Sequence, residues 1–306
     1  MPKTMKKFFN SNKLKATNLI QPIFIEEGLK SKKIIKGLGE NYSHTLQSAK
    51  KTIMSDINKG VKNFLFFIIP KKKQRKPEDF NFHYQVLSHI KKTFGNRILI
   101  IVDTCLCSVT TDGHCGITHK NKINLKETHK SLGIAADTFI QAGADIIAPS
   151  DMMKGTTKYL KSLFKKKKFK IPIMSYSSKF FSSFYGPFRN AAKSSPKKFD
   201  RSSYQLPVHD FKKAVQSSII NAKHGASYLM VKPGITSIDL IKEIKNKTKL
   251  PTGAYQVSGE YASLQYLSLN KLGDFDKLYK ESLVAIHRAG ADFIITYGAR
   301  DIAKNL

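Results

Sequence analysis

Eight short, almost unbroken apolar runs recur along the chain, and they limit its possible folds more than any other feature. The runs are LIQPIFI (19–25), NFLFFII (63–69), RILIIVD (97–103), ADIIAPS (144–150), IPIMSYS (171–177), SYLMVKP (227–233), GAYQVSG (253–259) and DFIITYG (292–298). A strand that is buried on one face alternates apolar and polar residues, whereas a strand of a parallel sheet is covered on both faces and is apolar throughout. The runs therefore predict eight parallel strands.

Segments with helical spacing separate these runs. Clear examples are LKETHKSLGIAADTFIQAG before the fourth run, HDFKKAVQSSIINAKHGA before the sixth and FDKLYKESLVAIHRAGA before the eighth. Each ends in a glycine that can terminate a helix and lead directly into the next strand. Eight β units that alternate with helices over 306 residues favour an α/β fold, a (β/α)8 barrel, over an open doubly wound sheet. We expect residues 1–18 to form a short N-terminal arm and residues 19–306 to form the barrel domain.

One connection is unusually long. Residues 180–210 follow the fifth run without a clear helical or strand pattern and are rich in serine, proline and aromatic residues. Loops of this length are uncommon unless they cover a site or are disordered, and the aromatic residues favour a packed lid. Arg189 and Arg201 lie in it, either as ordinary surface charges or as a clamp that binds a substrate carboxylate and orders the lid.

The chain is strongly basic, with 53 Lys and Arg against 22 Asp and Glu and a formal net charge of +31. Such a charge can bind nucleic acid through its phosphates. The lysines are scattered, however, and no nucleic-acid-binding motif accompanies them, so we interpret them as a solvated surface and expect no nucleic-acid partner. No apolar run approaches the roughly 18 residues that would span a membrane, and no signal-peptide pattern begins the chain. Only three cysteines occur, which argues against a disulfide scaffold and predicts a cytoplasmic protein.

Polar and ionisable residues collect where the predicted strands end. Catalytic residues of (β/α)8 barrels lie at the carboxyl ends of the strands, where the connecting loops form one face. The sequence therefore predicts that the following residues converge on a single site: Asp103, Ser150, Asp151, Lys179, Lys232, Ser258 and Tyr297.

Two of these residues are lysines within apolar surroundings. Lys232 lies in SYLMVKPG and Lys179 in IMSYSSKFF. Burial and like-charge repulsion both lower the pKa of an amine, and a neutral amine can attack a ketone to form a Schiff base. A single lysine of this kind is more often one whose stem packs on the core while its charge reaches solvent. Two at neighbouring strand ends favour the catalytic interpretation.

All three cysteines lie within DTCLCSVTTDGHCG, as Cys105, Cys107 and Cys115. Three thiolate ligands suit Zn²⁺ and leave its fourth position open for water or substrate, as in catalytic zinc sites. The alternative is three inert, buried cysteines. His114 is either a fourth ligand or a residue that supports the site from outside the ligand set.

In order along the chain, DTCLCSVTTDGHCG, APSDMM, MSYSSKFFSSFYGPFRNAAKSSP, MVKPG and YQVSGEY resemble the motifs of the 5-aminolevulinate dehydratase (porphobilinogen synthase) family. The resemblance extends from about residue 19 to residue 297. It implies a TIM barrel, a cytosolic homo-oligomer that is usually an octamer, and an early step of tetrapyrrole (heme) biosynthesis. In that step a hydro-lyase condenses two molecules of 5-aminolevulinate to porphobilinogen with loss of two waters.

The resemblance also implies roles for individual residues. Lys232 forms the Schiff base with the substrate that binds first, Lys179 forms the second Schiff base, and Asp103 positions a proton acceptor or metal-bound water. The cysteines match the zinc-binding members, with one Zn²⁺ per subunit. The substrate carboxylates are held by Arg189, Arg201 and Gln205 for the second substrate and by Ser258 and Tyr297 for the first. We further expect the substrate pocket to be lined by Ser150, Asp151, Tyr185 and Phe188.

The chain departs from the family pattern at several positions. Lys154 and Thr156 stand where the family usually has Asp and Arg. Ser217 replaces a Glu of the allosteric magnesium site of many bacterial members, so we predict that this site is absent. The short arm makes a dimer the alternative to an octamer. Two other functions stay open: a class I aldolase-like Schiff-base lyase, and a vestigial basic nucleic-acid-binding protein on the same fold.

Overall fold

The computed structural model describes residues 13–197 and 199–306, so most of the predicted N-terminal arm lies outside the described residues. Within the described part, eight strands run parallel to one another. They are β1 (Leu19–Glu26), β2 (Asn63–Ile69), β3 (Leu99–Thr104), β4 (Ile146–Pro149), β5 (Met174–Lys179), β6 (Tyr228–Lys232), β7 (Thr252–Tyr255) and β8 (Ile294–Ile295). Two short hairpins accompany them, Lys33–Ile34 with Tyr42–His44 and Thr118–His119 with Lys122–Ile123.

The eight strands follow one another in sequence order around a closed barrel. β8 pairs with β1, with Leu19 opposite Ile294. β4 and β5 close the circle through a bridge between Ile147 and Ile173, and the Ile147 amide donates to the Pro172 carbonyl at 3.2 Å. The predicted (β/α)8 barrel is therefore confirmed.

Helices surround the barrel, and the sequence marks both of their ends. Four helices begin with a side chain that accepts a hydrogen bond from a first-turn amide, as N-caps do. The capping residues are Thr45 before α1 (Leu46–Asn58), Asn124 before α3 (Leu125–Gln141), Asp210 before α6 (Phe211–Lys223) and Asp274 before α9 (Phe275–Arg288). The glycines predicted to end these last three helices, Gly143, Gly225 and Gly290, have φ of +101°, +93° and +110°. The helices are α1 (Leu46–Asn58), α2 (Asn81–Phe94), α3 (Leu125–Gln141), α4 (Thr156–Lys166), α5 (Gly186–Ala191), α6 (Phe211–Lys223), α7 (Ile238–Thr248), α8 (Ser258–Leu269), α9 (Phe275–Arg288) and α10 (Ala299–Ile302). Each of these helices is too short or too polar to cross a lipid bilayer.

Strand β5 contains a bulge that the sequence pattern does not reveal. Leu229 of β6 pairs with Ser175, but Val231 pairs with Ser178, so Tyr176 and Ser177 together face a single residue of β6. The extra residue shifts the register by one, and Lys232 is consequently paired with Lys179. Without the bulge, the same pairing would place Ser178 opposite Lys232.

The last two predicted strands are shorter than their apolar runs. β7 ends at Tyr255, and α8 begins at Ser258, so Ser258 is a helix residue and not the end of a strand. The Glu260 carboxylate explains the change, because it accepts hydrogen bonds from the amides of Val257 and Ile235 at 2.7 Å each and starts the helix early. β8 likewise ends at Ile295, two residues before Tyr297.

A buried ion pair fixes the C-terminal end of the chain to the rest of the barrel. Arg300 in α10 donates to Asp56 Oδ2 at 3.0 Å and to the Glu40 carbonyl at 2.9 Å. The Arg300 side chain is only 5% exposed and the Asp56 side chain only 2%. The neighbouring Gln21 and Asn41 side chains donate to the Tyr297 carbonyl at 3.1 and 3.0 Å. This network holds the loop that carries Tyr297.

We predict that Arg300→Met lowers the free energy of unfolding by about 3–5 kcal/mol, because the Asp56 carboxylate would stay buried without its counter-charge. Burial already raises the pKa of Asp56 even with Arg300 beside it. Urea unfolding measures the change. Lys130→Met, which breaks the exposed pair with Glu78, serves as control and should leave stability unaltered. Equal midpoints for the two variants would contradict the structural role of Arg300.

Candidate active site

The β5–β6 pairing brings two lysines together at the mouth of the barrel. Lys179 and Lys232 are 5% and 4% exposed, and they are register partners at the carboxyl ends of their strands. The Lys179 ammonium donates to the Ser150 carbonyl at 2.5 Å. Four aromatic rings surround the Lys232 Nζ, with centroid distances of 4.0 Å for Tyr255, 5.0 Å for Phe188, 5.1 Å for Tyr176 and 5.4 Å for Tyr185.

This environment changes the protonation of Lys232. Burial, followed by the positive charge of Lys179, lowers the pKa of Lys232 well below its ordinary value, while the Asp103 carboxylate opposes the shift. The aromatic faces favour the ammonium form, whereas burial and the second lysine favour the neutral form. The lowered pKa increases the share of the neutral amine, which has the lone pair that a nucleophile needs.

An acid and a phenol lie beside the lysines. Asp103 is the next-to-last residue of β3. Burial raises its pKa to about 6, against the opposing effects of a Ser150 hydrogen bond and the charges of Lys179 and Lys232. Asp103 Oδ1 and the Tyr176 hydroxyl are buried without a well-formed hydrogen bond to another described residue. The two groups interact with each other, because burial and then Asp103 raise the pKa of Tyr176. Sequence reasoning missed Tyr176, because it lies three positions before Lys179 and strict alternation places the two on opposite faces of β5. The bulge puts them on the same face.

The three cysteines form a compact cluster next to this site. The sulfur atoms of Cys105, Cys107 and Cys115 all lie within 4.8 Å of one another, and the Cys105 and Cys107 sulfurs are 3.4 Å apart. Hydrogen bonds from Cys105 and Cys107, and then the charge of Arg201, lower the pKa of Cys115. The cluster offers a metal ion three soft donors. His114 is not among the ligand atoms grouped there; its Nδ1 lies 3.2 Å from the Tyr204 hydroxyl and its ring stacks on Phe199 at 3.8 Å.

The long connection after β5 closes over the cysteine loop. It folds into a short 3₁₀ turn and the helix α5, and Phe180 pairs with Leu206 where the connection begins and ends. The Lys197 amide donates to the Asp112 carbonyl at 3.1 Å. Gly113 has a φ of +75°, and a Cβ there would lie 2.4 Å from the Ser195 carbonyl oxygen. Only glycine fits at this crossing.

Three side chains in this connection have buried polar atoms without partners among the described residues. They are Arg189 (Nε), Arg201 (Nε) and Gln205 (both amide atoms). Arg201 and Gln205 are each 3% exposed, and the Arg201 Nη2 donates to the Gly113 carbonyl at 3.0 Å. An unpaired buried donor is energetically costly, so such groups mark a place that a ligand completes. The chemistry of the three groups suits an anion.

The remaining predicted residues make specific contacts within the chain. Ser258 Oγ accepts from the Phe188 amide at 3.1 Å and donates to the Phe184 carbonyl at 3.3 Å. The Tyr297 and Tyr255 hydroxyls are 3.0 Å apart. These contacts bring Ser258, Phe188 and Tyr297 to the aromatic wall around Lys232. The Tyr185 hydroxyl donates to the Phe180 carbonyl at 2.8 Å.

Asp151 makes hydrogen bonds within the turn that follows β4. Its Oδ2 accepts from the Thr156 hydroxyl at 2.6 Å and from the Met153 amide at 2.9 Å. Burial raises the pKa of Asp151 to about 6. Asp151 thus closes the turn that leads into α4, and Thr156, one of the residues that depart from the family pattern, is its partner.

Comparisons with known proteins agree with this geometry. The family model for delta-aminolevulinic acid dehydratase matches residues 1–305. The chain belongs to this family. The curated delta-aminolevulinic acid dehydratase of Archaeoglobus fulgidus is 37% identical, over 97% of this chain and 94% of the relative. The Bacillus subtilis enzyme of the same name is 35% identical, over 99% of this chain and 94% of the relative.

A solved structure in the family is also similar. It is the delta-aminolevulinic acid dehydratase (porphobilinogen synthase) of Toxoplasma gondii, in complex with the reaction product porphobilinogen. Its TM-score is 0.93 at 30% sequence identity, over 99% of this chain and 88% of that chain. The chain therefore has the barrel expected of this family. The two predicted lysines lie side by side at the carboxyl ends of its strands β5 and β6.

We predict that Lys179→Met raises the pKa of Lys232, because the repulsion between the two ammonium groups disappears. Carbamylation by cyanate, followed by peptide mass spectrometry, measures the pH at which Lys232 becomes half reactive. That midpoint should move to higher pH in the variant. The exposed Lys242 provides an internal control and should keep its midpoint. An unchanged midpoint for Lys232 would contradict the coupling between the two lysines.

Proposed function

We propose that this protein is an active porphobilinogen synthase, a hydro-lyase that condenses two molecules of 5-aminolevulinate to porphobilinogen with loss of two waters. The observation that carries the proposal is the buried pair Lys179–Lys232, in which burial and the neighbouring charge lower the pKa of Lys232. A class I aldolase-like lyase needs one such lysine and no metal. The second lysine and the cysteine cluster favour the synthase.

In the proposed mechanism, the neutral Lys232 amine attacks the ketone carbon of the first substrate. Water leaves and an iminium forms, which draws electrons from the adjacent carbon and makes its proton acidic. Lys179 forms the second Schiff base in the same way. Asp103, with its pKa raised to about 6, is suited to exchange protons close to neutral pH, and we assign it the positioning of a proton acceptor.

The substrate carboxylates require fixed positive charges and hydrogen-bond donors. We assign the carboxylate of the second substrate to Arg189, Arg201 and Gln205, because all three retain buried polar atoms that have no partner among the described residues. We assign the carboxylate of the first substrate to Ser258 and Tyr297 beside Lys232. We assign the pocket walls to Tyr185, Phe188 and Ser150, and we propose that residues 180–210 act as a lid that excludes water from the iminium.

The cysteine cluster fits a zinc ion. Three sulfur atoms within 4.8 Å of one another match the number and softness of the protein ligands in catalytic zinc sites. We propose that Cys105, Cys107 and Cys115 hold one Zn²⁺. When bound, zinc would supply Lewis acidity toward an oxygen of the second substrate. A reducing cytoplasm, where we expect the protein to act, keeps these thiols free to bind metal.

We also propose that the protein is a homo-oligomer. The end of α8 and the loop after it expose three large apolar side chains: Tyr266 (64%), Leu269 (80%) and Leu272 (69%). Adjacent exposed apolar side chains are typical of protein interfaces. An octamer follows the family resemblance, with a dimer as the alternative. We retain the expectation that an allosteric magnesium site is absent, since Ser217 uses its hydroxyl to bind the Ser177 carbonyl at 2.6 Å.

Borohydride reduction in the presence of 5-aminolevulinate tests the Schiff base directly. We expect a stable substrate adduct on the peptide that contains Lys232, together with loss of porphobilinogen formation. Lys232→Arg should abolish turnover, because a guanidinium cannot form the imine. Lys242→Arg, at an exposed position, should have normal activity. Normal turnover by Lys232→Arg would eliminate Lys232 as the catalytic amine.

Metal removal tests the cysteine site. We expect a chelator to abolish porphobilinogen formation and added zinc to restore it. The triple variant of Cys105, Cys107 and Cys115 to Ala should purify without zinc. Stoichiometric zinc in that variant would place the metal elsewhere. Activity that is unchanged after chelator treatment would favour chemistry that depends on the lysines alone.

A further inference from the structure

Lys73 contacts the loop that carries the cysteines. It lies in the loop after β2, where Lys71 and Lys72 are exposed but Lys73 is half-buried. Its ammonium donates to the main-chain carbonyl of Ser108, the residue directly after Cys107. Lysine side chains usually extend into solvent, so a lysine that turns inward toward a backbone carbonyl has a specific local reason to do so.

The loop that carries Lys73 is attached firmly to the cysteine loop. The Gln74 amide donates to the Val109 carbonyl at 2.8 Å, and the Thr111 amide donates to the Gln74 carbonyl at 3.2 Å. The Gln74 side chain accepts from the amides of Glu78 and Asp79 at 3.1 and 3.2 Å, which fixes the shape of its own loop. The position of Lys73 relative to Cys107 is therefore determined by the backbone.

Charge explains why an ammonium is placed there. Among the charged groups around Lys73, Cys107 acts on it most strongly, ahead of Lys193, Glu26 and Lys197. Glu26, the nearby acid, already pairs with Lys193. In the described part of the chain, no carboxylate forms an ion pair with Lys73. Its strongest electrostatic partner is therefore Cys107, which is negatively charged when a metal ion binds it as a thiolate.

A three-cysteine metal site needs such a cation. Three thiolates carry three negative charges and a divalent ion offsets two of them, so one negative charge is left in a buried place where it is poorly solvated. We propose that Lys73 is a positioning residue of the metal site, whose ammonium holds the Ser108 carbonyl and offsets the remaining charge of the metal-bound thiolates. This inference rests on the zinc site proposed above.

Zinc affinity, measured by competition with a chromophoric chelator, tests the inference without any assay of activity. We expect Lys73→Met to weaken zinc binding about tenfold, which is the usual size of such an effect for residues that support metal ligands. Lys73→Arg keeps the charge and should recover most of the affinity. Lys72→Met, the matched control at the exposed neighbour, should bind zinc as the original protein does.

A second variant separates charge from hydrogen bonding and guards against misfolding. Lys73→Gln is neutral but can still donate to the Ser108 carbonyl, and we expect it to lose affinity as Lys73→Met does. Unaltered zinc affinity in either neutral variant would overturn the inference and leave the proposed function intact. Absence of zinc binding by the unsubstituted protein would instead overturn both. Thermal unfolding of each zinc-free variant checks that the barrel is intact, and a folded Lys73→Gln alone is sufficient for the comparison.

Discussion

The site depends on one irregularity in the hydrogen-bonding of two parallel strands. The bulge in β5 places Tyr176 and Lys179 on the inner face, although they are three residues apart. It turns both Ser177 and Ser178 outward toward α6, where each hydroxyl lies within 2.8 Å of the Ser218 hydroxyl. Ser178 also donates to the Ala214 carbonyl at 2.7 Å. These three polar contacts on the outside thus hold the strand in the register that the inside requires.

The barrel mouth is costly to maintain without a ligand. Lys232 lies among aromatic rings. Within the part of the chain that the structure describes, Asp103 and Tyr176 have buried polar atoms without a well-formed hydrogen bond, and the Nε atoms of Arg189 and Arg201 have no partner. Groups of this kind lower the stability of a folded chain. The closed sheet and the buried Arg300–Asp56 pair on the opposite side of the Tyr297 loop give the scaffold that tolerates them. A substrate that brings carboxylates and a ketone would satisfy the same groups.

The barrel could be predicted well from the sequence, because the features that indicate it are local. Continuous apolar runs, capping side chains and helix-ending glycines each depend on a few neighbouring residues, and eight such units have one common closed arrangement. The predicted lysines and cysteines were also brought to neighbouring strand ends, since parallel strands end on the same face. Ser258 was misplaced because Glu260, which starts α8, bonds to amides some 25 residues away in sequence, and no local pattern records that contact.

The residues that sequence reasoning missed have the same explanation. Regular alternation would place Tyr176 on the face opposite Lys179, and only the pairing with β6 reveals the bulge. Lys73 lies in the basic stretch KKKQRK, in which every lysine resembles a solvated one. Its role depends on contact with Ser108, which is 35 residues further along the chain. Whether a residue's neighbours come from its own element or from a distant one decides whether the sequence reveals it.

Where this chain departs from the expected family pattern, the structure shows which local contacts accommodate the change. Thr156 stands where the family resemblance implies an arginine, yet its hydroxyl binds the buried Asp151 carboxylate at 2.6 Å, so the turn before α4 has a partner for its acid. Lys154, where the resemblance implies an acid, is exposed, so a change of charge there is solvated. Ser217, where the resemblance implies a glutamate, donates to the Ser177 carbonyl, on the bulge itself. A larger, charged side chain at position 217 would have had to leave that contact. In this chain, therefore, the substitution joins the set of hydroxyls that hold Lys179 opposite Lys232.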